Sequence, residues 1–334
     1  MYNASVVAGR IGDTTVNLYL GPSPFISKAA VDFIKASTST LEVCMYELDL
    51  PEVLDALLEA VYRGVKVRIA ASPATVPNKH ERFLYDKFNK LITRNVFKTT
   101  ENKSGLMHNK FMVRDGSAIW TGSYNLTDND TEMNDNNVIS FTNRQLAENY
   151  LVEFEEIWTG RHGKKNSDPT PHPNVVIGGV TVQNYFSPED DLEAAIDREI
   201  RKATNSIYVM AFALSDKTMF RSLVDMAKKG VRVYTLFDLE LARQKSSLSQ
   251  VLKDQGISVR ISANNGQMHH KVIVIDEKIV VTGSANFSAS AFKSNDENMI
   301  IFECPPLAKA FMRECARCWL AKPYVFNKWT VQVP

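Results

Sequence analysis

Two histidines in this chain sit in nearly the same surroundings, 161 residues apart. Residues 107–125 read M-H-N-K-F-M-V-R-D-G-S-A-I-W-T-G-S-Y-N, and residues 268–286 read M-H-H-K-V-I-V-I-D-E-K-I-V-V-T-G-S-A-N. The register holds without a gap. Most of the recurring positions are polar: His108 and His269, Lys110 and Lys271, Asp115 and Asp276, Ser123 and Ser284, Asn125 and Asn286. Recurring apolar positions would indicate repeated packing, whereas polar ones inside apolar strands indicate a repeated chemical task.

Each copy reads as a strand, a tight turn at Asp115-Gly116 or Asp276-Glu277, and a second strand. Side chains at i and i+2 of a strand share a face, which puts His108 beside Lys110 and His269 beside Lys271. One imidazole, one ammonium, one hydroxyl and one carboxamide make half of an oxyanion site. Two halves related by a pseudo-two-fold axis would hold a phosphate between paired lysines and asparagines, with a histidine on either side of phosphorus. One neutral imidazole then attacks, the other, protonated, donates to the leaving oxygen, and water completes the cycle. Free imidazole titrates near neutrality, which suits both tasks. The lysines and asparagines can carry the oxyanion charge without a metal, and no cofactor is expected. A lone histidine in an apolar strand is ordinarily a core residue, but two at matched positions, each with a matched Lys and Asn, argue against that. Asp115 and Asp276 lie an odd number of residues from their lysines, so turn support and direct chemistry both stand for them. Ser123 and Ser284 fit equally as turn formers or as phosphate donors.

H-x-K-x4-D followed by G-S-x-N, present twice, resembles the signature of the phospholipase D superfamily, on His108, Lys110, Asp115, Ser123, Asn125 and His269, Lys271, Asp276, Ser284, Asn286. The resemblance spans about residues 16–322 and implies catalytic roles for both sets. It also implies a carboxylate 28 residues after each motif histidine, holding an imidazole across the pseudo-dyad. The second half has Glu297 there, within N-D-E-N, and the first has Asn136, within N-D-N-N. Glu297 is therefore expected to orient His108 and Asn136 to orient His269. An amide orients a ring without stabilising positive charge on it. That difference favours His108 as nucleophile and His269 as general acid, with Asp135 or Glu132 as substitutes for the missing carboxylate.

The elements that must position these groups also repeat. Residues 16–19 read as a strand, 26–36 as a helix, 41–46 as a buried strand, 54–62 as a helix and 65–70 as a strand. The second half repeats this as a strand at 182–186, a helix to 202, a strand at 207–212, a helix to 229 and a strand at 231–237. Helices at 145–158 and 308–319 end in Trp158 and Trp319, read as hydrophobic anchors. The alternation implies an α/β fold of two pseudo-symmetric α/β/α sandwich lobes with mixed, largely parallel sheets, like the phospholipase D and nuclease folds. The lobes are assigned to residues 1–161 and 175–334. Residues 162–174, with three prolines, read as a linker in which His162 and His172 are exposed, as is His80. His270 alternates away from its catalytic neighbour.

With 334 residues, 44% hydrophobic and 23% charged, the chain has the composition of an ordinary soluble protein with room for two lobes. Its net charge of +1 advertises no general basic field, so any positive patch must be local. No run of about 18 apolar residues suggests a membrane span. Residues 1–10 show no apolar leader, which favours a cytoplasmic chain, although a secreted or periplasmic chain stripped of its signal would look the same. Four cysteines give no disulfide framework: Cys44 falls in a buried strand, and Cys315 and Cys318 read as helix-packing residues.

The compact two-lobed form resembles the nuclease branch of the superfamily, as a tandem fusion of the small homodimeric bacterial endonuclease. That likeness implies a nucleic acid substrate and a monomer, since one chain carries both half-sites. Lys98, Lys103, Arg114, Lys278 and Lys293 lie near the motifs and are candidates to follow a phosphate backbone or to form a solvated rim. The competing substrate is a phospholipid, as in a phospholipase or cardiolipin-type hydrolase. It would need an apolar mouth, for which Met107, Phe111, Met112, Trp120, Phe287 and Phe292 are the candidates. A third reading is a non-catalytic phosphate-binding scaffold, against which stands the retention of both His and Lys pairs.

Overall fold

The computed structural model describes residues 6–11, 13–76, 82–100, 102–163 and 168–321; His80 lies outside them. The first lobe runs β1 (Val6–Ile11), β2 (Thr14–Leu20), α1 (Pro24–Lys35), β3 (Thr40–Met45), α2 (Pro51–Tyr62), β4 (Lys66–Ala71), α3 (Arg82–Thr93) and β5 (Phe97–Thr99). It continues through the motif hairpin β6 (Lys110–Arg114) and β7 (Ala118–Gly122), then α4 (Asp128–Glu132), β8 (Asn137–Thr142) and α5 (Arg144–Trp158). The second lobe opens with β9 (Asn174–Ile177), β10 (Val180–Ser187), α6 (Leu192–Arg201), β11 (Ser206–Ala211), α7 (Lys217–Lys228) and β12 (Arg232–Phe237). Two short helices, α8 (Leu239–Ala242) and α9 (Ser249–Asp254), precede β13 (Ser258–Ile261). The second hairpin, β14 (Lys271–Ile275) and β15 (Ile279–Gly283), leads to α10 (Ala289–Lys293), β16 (Glu297–Glu303) and α11 (Pro305–Leu320).

Each lobe carries an eight-stranded sheet, ordered β1-β2-β8-β7-β6-β3-β4-β5 and β13-β12-β11-β14-β15-β16-β10-β9. The sheets are mixed, but the expectation that they are largely parallel is corrected. Among the described residues only β3-β4-β5 and β11-β12-β13 pair in parallel, and every other neighbouring pair of strands is antiparallel. Helices also carry the chain from β2 to β3 and from β10 to β11, but three antiparallel strands lie between the members of each pair.

Alternation along the central strands divides the apolar residues between two faces. Met112 and Trp120 pack outward with Ile34, Leu54 and Leu57 of α1 and α2, and Ile273 packs with Ile196 and Leu223 of α6 and α7. Phe111 and Val113, with Val272 and Val274, face the other way into one continuous core that also takes Tyr150 and Phe154 of α5 and Phe311 and Cys315 of α11. The two lobes thus share a middle layer of α5 and α11. Phe111, Tyr150 and Phe186 stack edge to face across it, with centroids 5.0 and 5.1 Å apart. Cys44, Cys315 and Cys318 are buried and unpaired. No helix among the described residues is long and apolar enough to cross a membrane.

His162, expected to be exposed, is partly buried: its Nδ1–H donates to Asp296 at 3.0 Å, so the start of the inter-lobe segment is fastened beside the site-bearing strand β16. His172 stays half-exposed, 3.0 Å from Glu148. The glycines that end β7 and β15 stand where the chain crosses its neighbour. A β-carbon on Gly122 would run into the Asn137 carbonyl oxygen, and one on Gly283 into that of Asn298. Backbone atoms cannot step aside as a flexible side chain can, so Gly283→Ala is expected to cost about 2 kcal/mol or more, read as a lowered urea midpoint.

Candidate active site

The motif segments cross at the lobe boundary as two reciprocal parallel bridges, Met107 with Asp296 and Asp135 with Met268. The His108 N–H donates to the Asp296 carbonyl at 2.9 Å, and the His269 N–H to that of Asp135 at 3.0 Å. Behind them, Asn298 accepts from Thr121 at 2.7 Å, and Asn137 donates to Thr282 at 2.9 Å. These exchanges bring residues from the two halves of the chain onto one cleft of about 1890 Å³, lined by His108, His269, Asn125 and Asn286.

The support for each ring comes from the opposite lobe. His108 Nδ1–H donates to Glu297, 2.9 and 2.8 Å from its two oxygens, and His269 Nδ1–H donates to Asn136 Oδ1 at 2.9 Å. Both bonds fix the tautomer and leave Nε2 free to react. Tyr46 and Phe212 pack edge-on against the two rings, at 4.8 and 4.9 Å. Lys110 donates to the His108 carbonyl at 2.8 Å and Lys271 to the His269 carbonyl at 2.7 Å, and both ammonium groups lie over the same two aromatic rings. Asn125 and Asn286 each hold a buried side-chain oxygen without a partner among the described residues.

Burial and two facing ammonium groups set the electrostatics. Burial brings Lys110 down to about 8, with Glu297 and Asp130 opposing the shift, and burial and Lys110 push Lys271 well below its ordinary value. Burial also lowers His108, which Glu297 partly restores, and lowers His269 further, reinforced by Lys271 and Lys110. An anion between the lysines relieves all four shifts. Inorganic phosphate should therefore bind most tightly while Lys110 is charged, and its affinity should fall as pH rises through about 8, measured by calorimetry.

Four expected site residues lie elsewhere. Asp115 and Asp276 sit in the hairpin turns and serve the fold. Asp115 accepts the N–H groups of Thr38, Ser39 and Thr40 at 3.1, 2.7 and 3.0 Å, and Asp276 those of Thr204, Asn205 and Ser206, each at 2.8 Å. Slight burial opposes the shift, but the Ser39 and Thr40 amides bring the Asp115 carboxyl down to about 2. Ser123 and Ser284 do not line the cleft. Both are fully buried, and their hydroxyls donate to Asn136 at 2.8 Å and to Glu297 at 2.7 Å, holding the groups that hold the histidines.

The cations named from sequence are not on the cleft either. Arg114 lies against Phe33, Lys98 against Trp158, and Lys293 pairs with Glu193 at 2.9 Å, while Lys103 and Lys278 are not among the lining residues. Arg243, Lys253 and Arg260 of the second lobe line the cleft instead, with Trp319 beside them. Sequence reading also missed Asp130, whose Oδ2 lies 3.7 Å from His269 Nδ1. Neither proposed substitute takes that place: Asp135 pairs with Arg317 at 2.5 Å, and Glu132 is exposed. His270 is wholly buried between Asn137 at 2.9 Å and Glu314 at 3.0 Å.

A duplicated α/β scaffold that closes two His-Lys-Asn sets on one cleft defines a phosphodiesterase. The family described as "Cardiolipin synthase, PLD-like domain" matches residues 30–158 and 196–319. The chain belongs to this phospholipase D superfamily. It is 38% identical over 146 residues to a phospholipase D of Rickettsia prowazekii (strain Madrid E), covering 44% of this chain and 69% of that one. It is 30% identical over 156 residues to a mitochondrial cardiolipin hydrolase of Xenopus laevis, covering 47% and 67%. Phosphatidylserine synthase of Haemophilus influenzae shares the fold, with a TM-score of 0.70 at 12% identity over 95% of this chain and 88% of that one.

Proposed function

We propose that this chain is a nuclease that cleaves phosphodiester bonds through a phosphohistidine. Two imidazoles, each fixed through Nδ1, face one cleft whose second-lobe wall carries Arg243, Lys253 and Arg260, and this observation carries the reading. His108 Nε2 forms a bond to phosphorus as the bond to the leaving oxygen breaks, and His269 gives its proton to that oxygen. Water then attacks phosphorus, His269 takes its proton, and His108 departs. Lys110, Lys271, Asn125 and Asn286 hold the non-bridging oxygens, so charge stabilisation needs no metal. Glu297 beside His108 favours the positively charged intermediate on that ring. One chain supplies the whole reaction centre, as a monomer requires.

Among the described residues Arg243 and Lys253 make no ion pair or side-chain hydrogen bond, and Arg260 bonds only the Ala321 carbonyl, at 3.2 Å, which leaves all three to face phosphates. The test is incubation with plasmid, single-stranded DNA, RNA and phosphatidyl lipids in excess chelator. Cleavage of nucleic acid that weakens as salt rises is expected, because each cation engaged displaces counterions from the strand.

A phospholipid substrate is favoured by a different feature. The six apolar residues considered for an acyl mouth are all core, but Leu106, Met133 and Leu239 line the cleft while 45%, 43% and 41% exposed. Release of choline or glycerol with nucleic acid left intact would establish this second reading in place of the first.

A further inference from the structure

We propose that Asp130 is a positioning residue for His269, its carboxylate supplying the negative charge that the amide of Asn136 lacks. The inference rests on the phosphohistidine reading and deepens it. The two short helices after the motifs, α4 and α10, correspond residue for residue, and the third position is Asp130 in one and Ala291 in the other. At the cross-dyad support the asymmetry runs the opposite way, Asn136 in the first half and Glu297 in the second. The carboxylate missing from one position is thus present at another that reaches the same ring.

Asp130 is 2% exposed and lines the cleft. Its Oδ2 accepts the Asn125 N–H at 2.6 Å and lies 3.7 Å from His269 Nδ1, while Oδ1 accepts from Asn134 Nδ2 at 2.6 Å. These bonds aim the charge at the ring without a direct hydrogen bond to it. The ammonium groups of Lys271 and Lys110 face His269 from the paired strands, and two further imidazoles stand nearby, His108 across the cleft and His270 next in sequence. On the anionic side are Asp130 and Asp238, the latter bonded to the Met268 N–H at 3.1 Å. Asn136 is neutral and Phe212 apolar. A general acid in this setting must keep a proton until the leaving oxygen develops charge, and Asp130 opposes the two ammonium groups that would expel it. Because the charge stands one shell away, His269 still releases the proton more readily than a ring bonded directly to a carboxylate.

The test compares wild type, Asp130→Asn, Asp130→Ser and Asp130→Asn/Asn136→Asp. Ring nitrogens are titrated by NMR, and kcat/KM for a short single-stranded oligonucleotide, whose alkoxide leaving group needs a proton, is followed against pH. Losing the carboxylate should move the His269 ring and the basic limb of the profile down together by about one pH unit, roughly tenfold in activity on that limb. The Asn136→Asp change should restore both, which a merely structural role for Asp130 would not produce. An unchanged His269 titration, a double variant that restores neither, or loss of the fold in both single variants would overturn the proposal. Wild type inert toward every diester would instead remove the reaction on which it rests, while the ring titration would still judge the electrostatic role.

Discussion

His108→Asn is expected to abolish diester turnover by about 10⁴-fold or more, and to leave no covalent adduct. Its Nε2 is the atom proposed to attack phosphorus, and the fold leaves it free because Nδ1 is held by Glu297 at 2.8 Å. His269→Asn is expected to behave differently. With a substrate whose leaving group needs a proton, turnover should fall by roughly 10²–10⁴. With a p-nitrophenyl ester the first step needs no acid, so one equivalent of nitrophenol should be released in a burst while phosphorus stays on the protein. Rapid quench and peptide mapping should find that phosphorus on His108. An adduct on His269 in the His108 variant would exchange the two roles.

Glu297→Gln should have the next largest effect, a loss of about 10³–10⁴ in kcat, comparable to removing charge behind the base of a catalytic triad. The residue is fully buried and accepts from His108, from Ser284 at 2.7 Å and from Asn295 at 3.1 Å. Its charge also favours the protonated forms of Lys110 and Lys271. Neutralising it should lower both lysines further, so phosphate binding should fail at a lower pH than in the wild type. Asn136→Ala removes no charge and should cost less. Equal losses in the two variants, read from steady-state rates across pH, would contradict the assignment of the intermediate to His108.

Much of this arrangement was legible because polar identities recur at fixed spacing. The pairs His108–His269, Lys110–Lys271 and Asn125–Asn286 follow from two copies of one motif related by a pseudo-dyad, and the crossing of Glu297 to His108 is what the resemblance to the phospholipase D superfamily implied. The motif does not reveal which polar residues face the ligand and which brace the backbone. Asp115 recurs as faithfully as His108, yet it accepts Thr38, Ser39 and Thr40 amides in a turn where its own φ is +50°. Both tasks demand a fixed residue type, so repetition alone cannot separate them. Asp130 had a visible signal: an acid opposite Ala291, six residues before the chain departs from symmetry at Asn136. Arg243, Lys253 and Arg260 had none, since they lie in the α8–β13 region, which the duplicated motif does not cover. The sheets read as more parallel than they are, because only three strands of each eight pair in parallel with a neighbour.

The meeting of two imidazoles across one anion is tested most directly by a crystal structure with orthovanadate, which mimics five-coordinate phosphorus. One vanadate should lie in line between His108 Nε2 and His269 Nε2, bonded to one ring and hydrogen-bonded through an apical oxygen to the other, with Lys110 and Lys271 on its equatorial oxygens. Two separately bound anions, or a single vanadate touching only one of the histidines, would contradict a shared reaction centre.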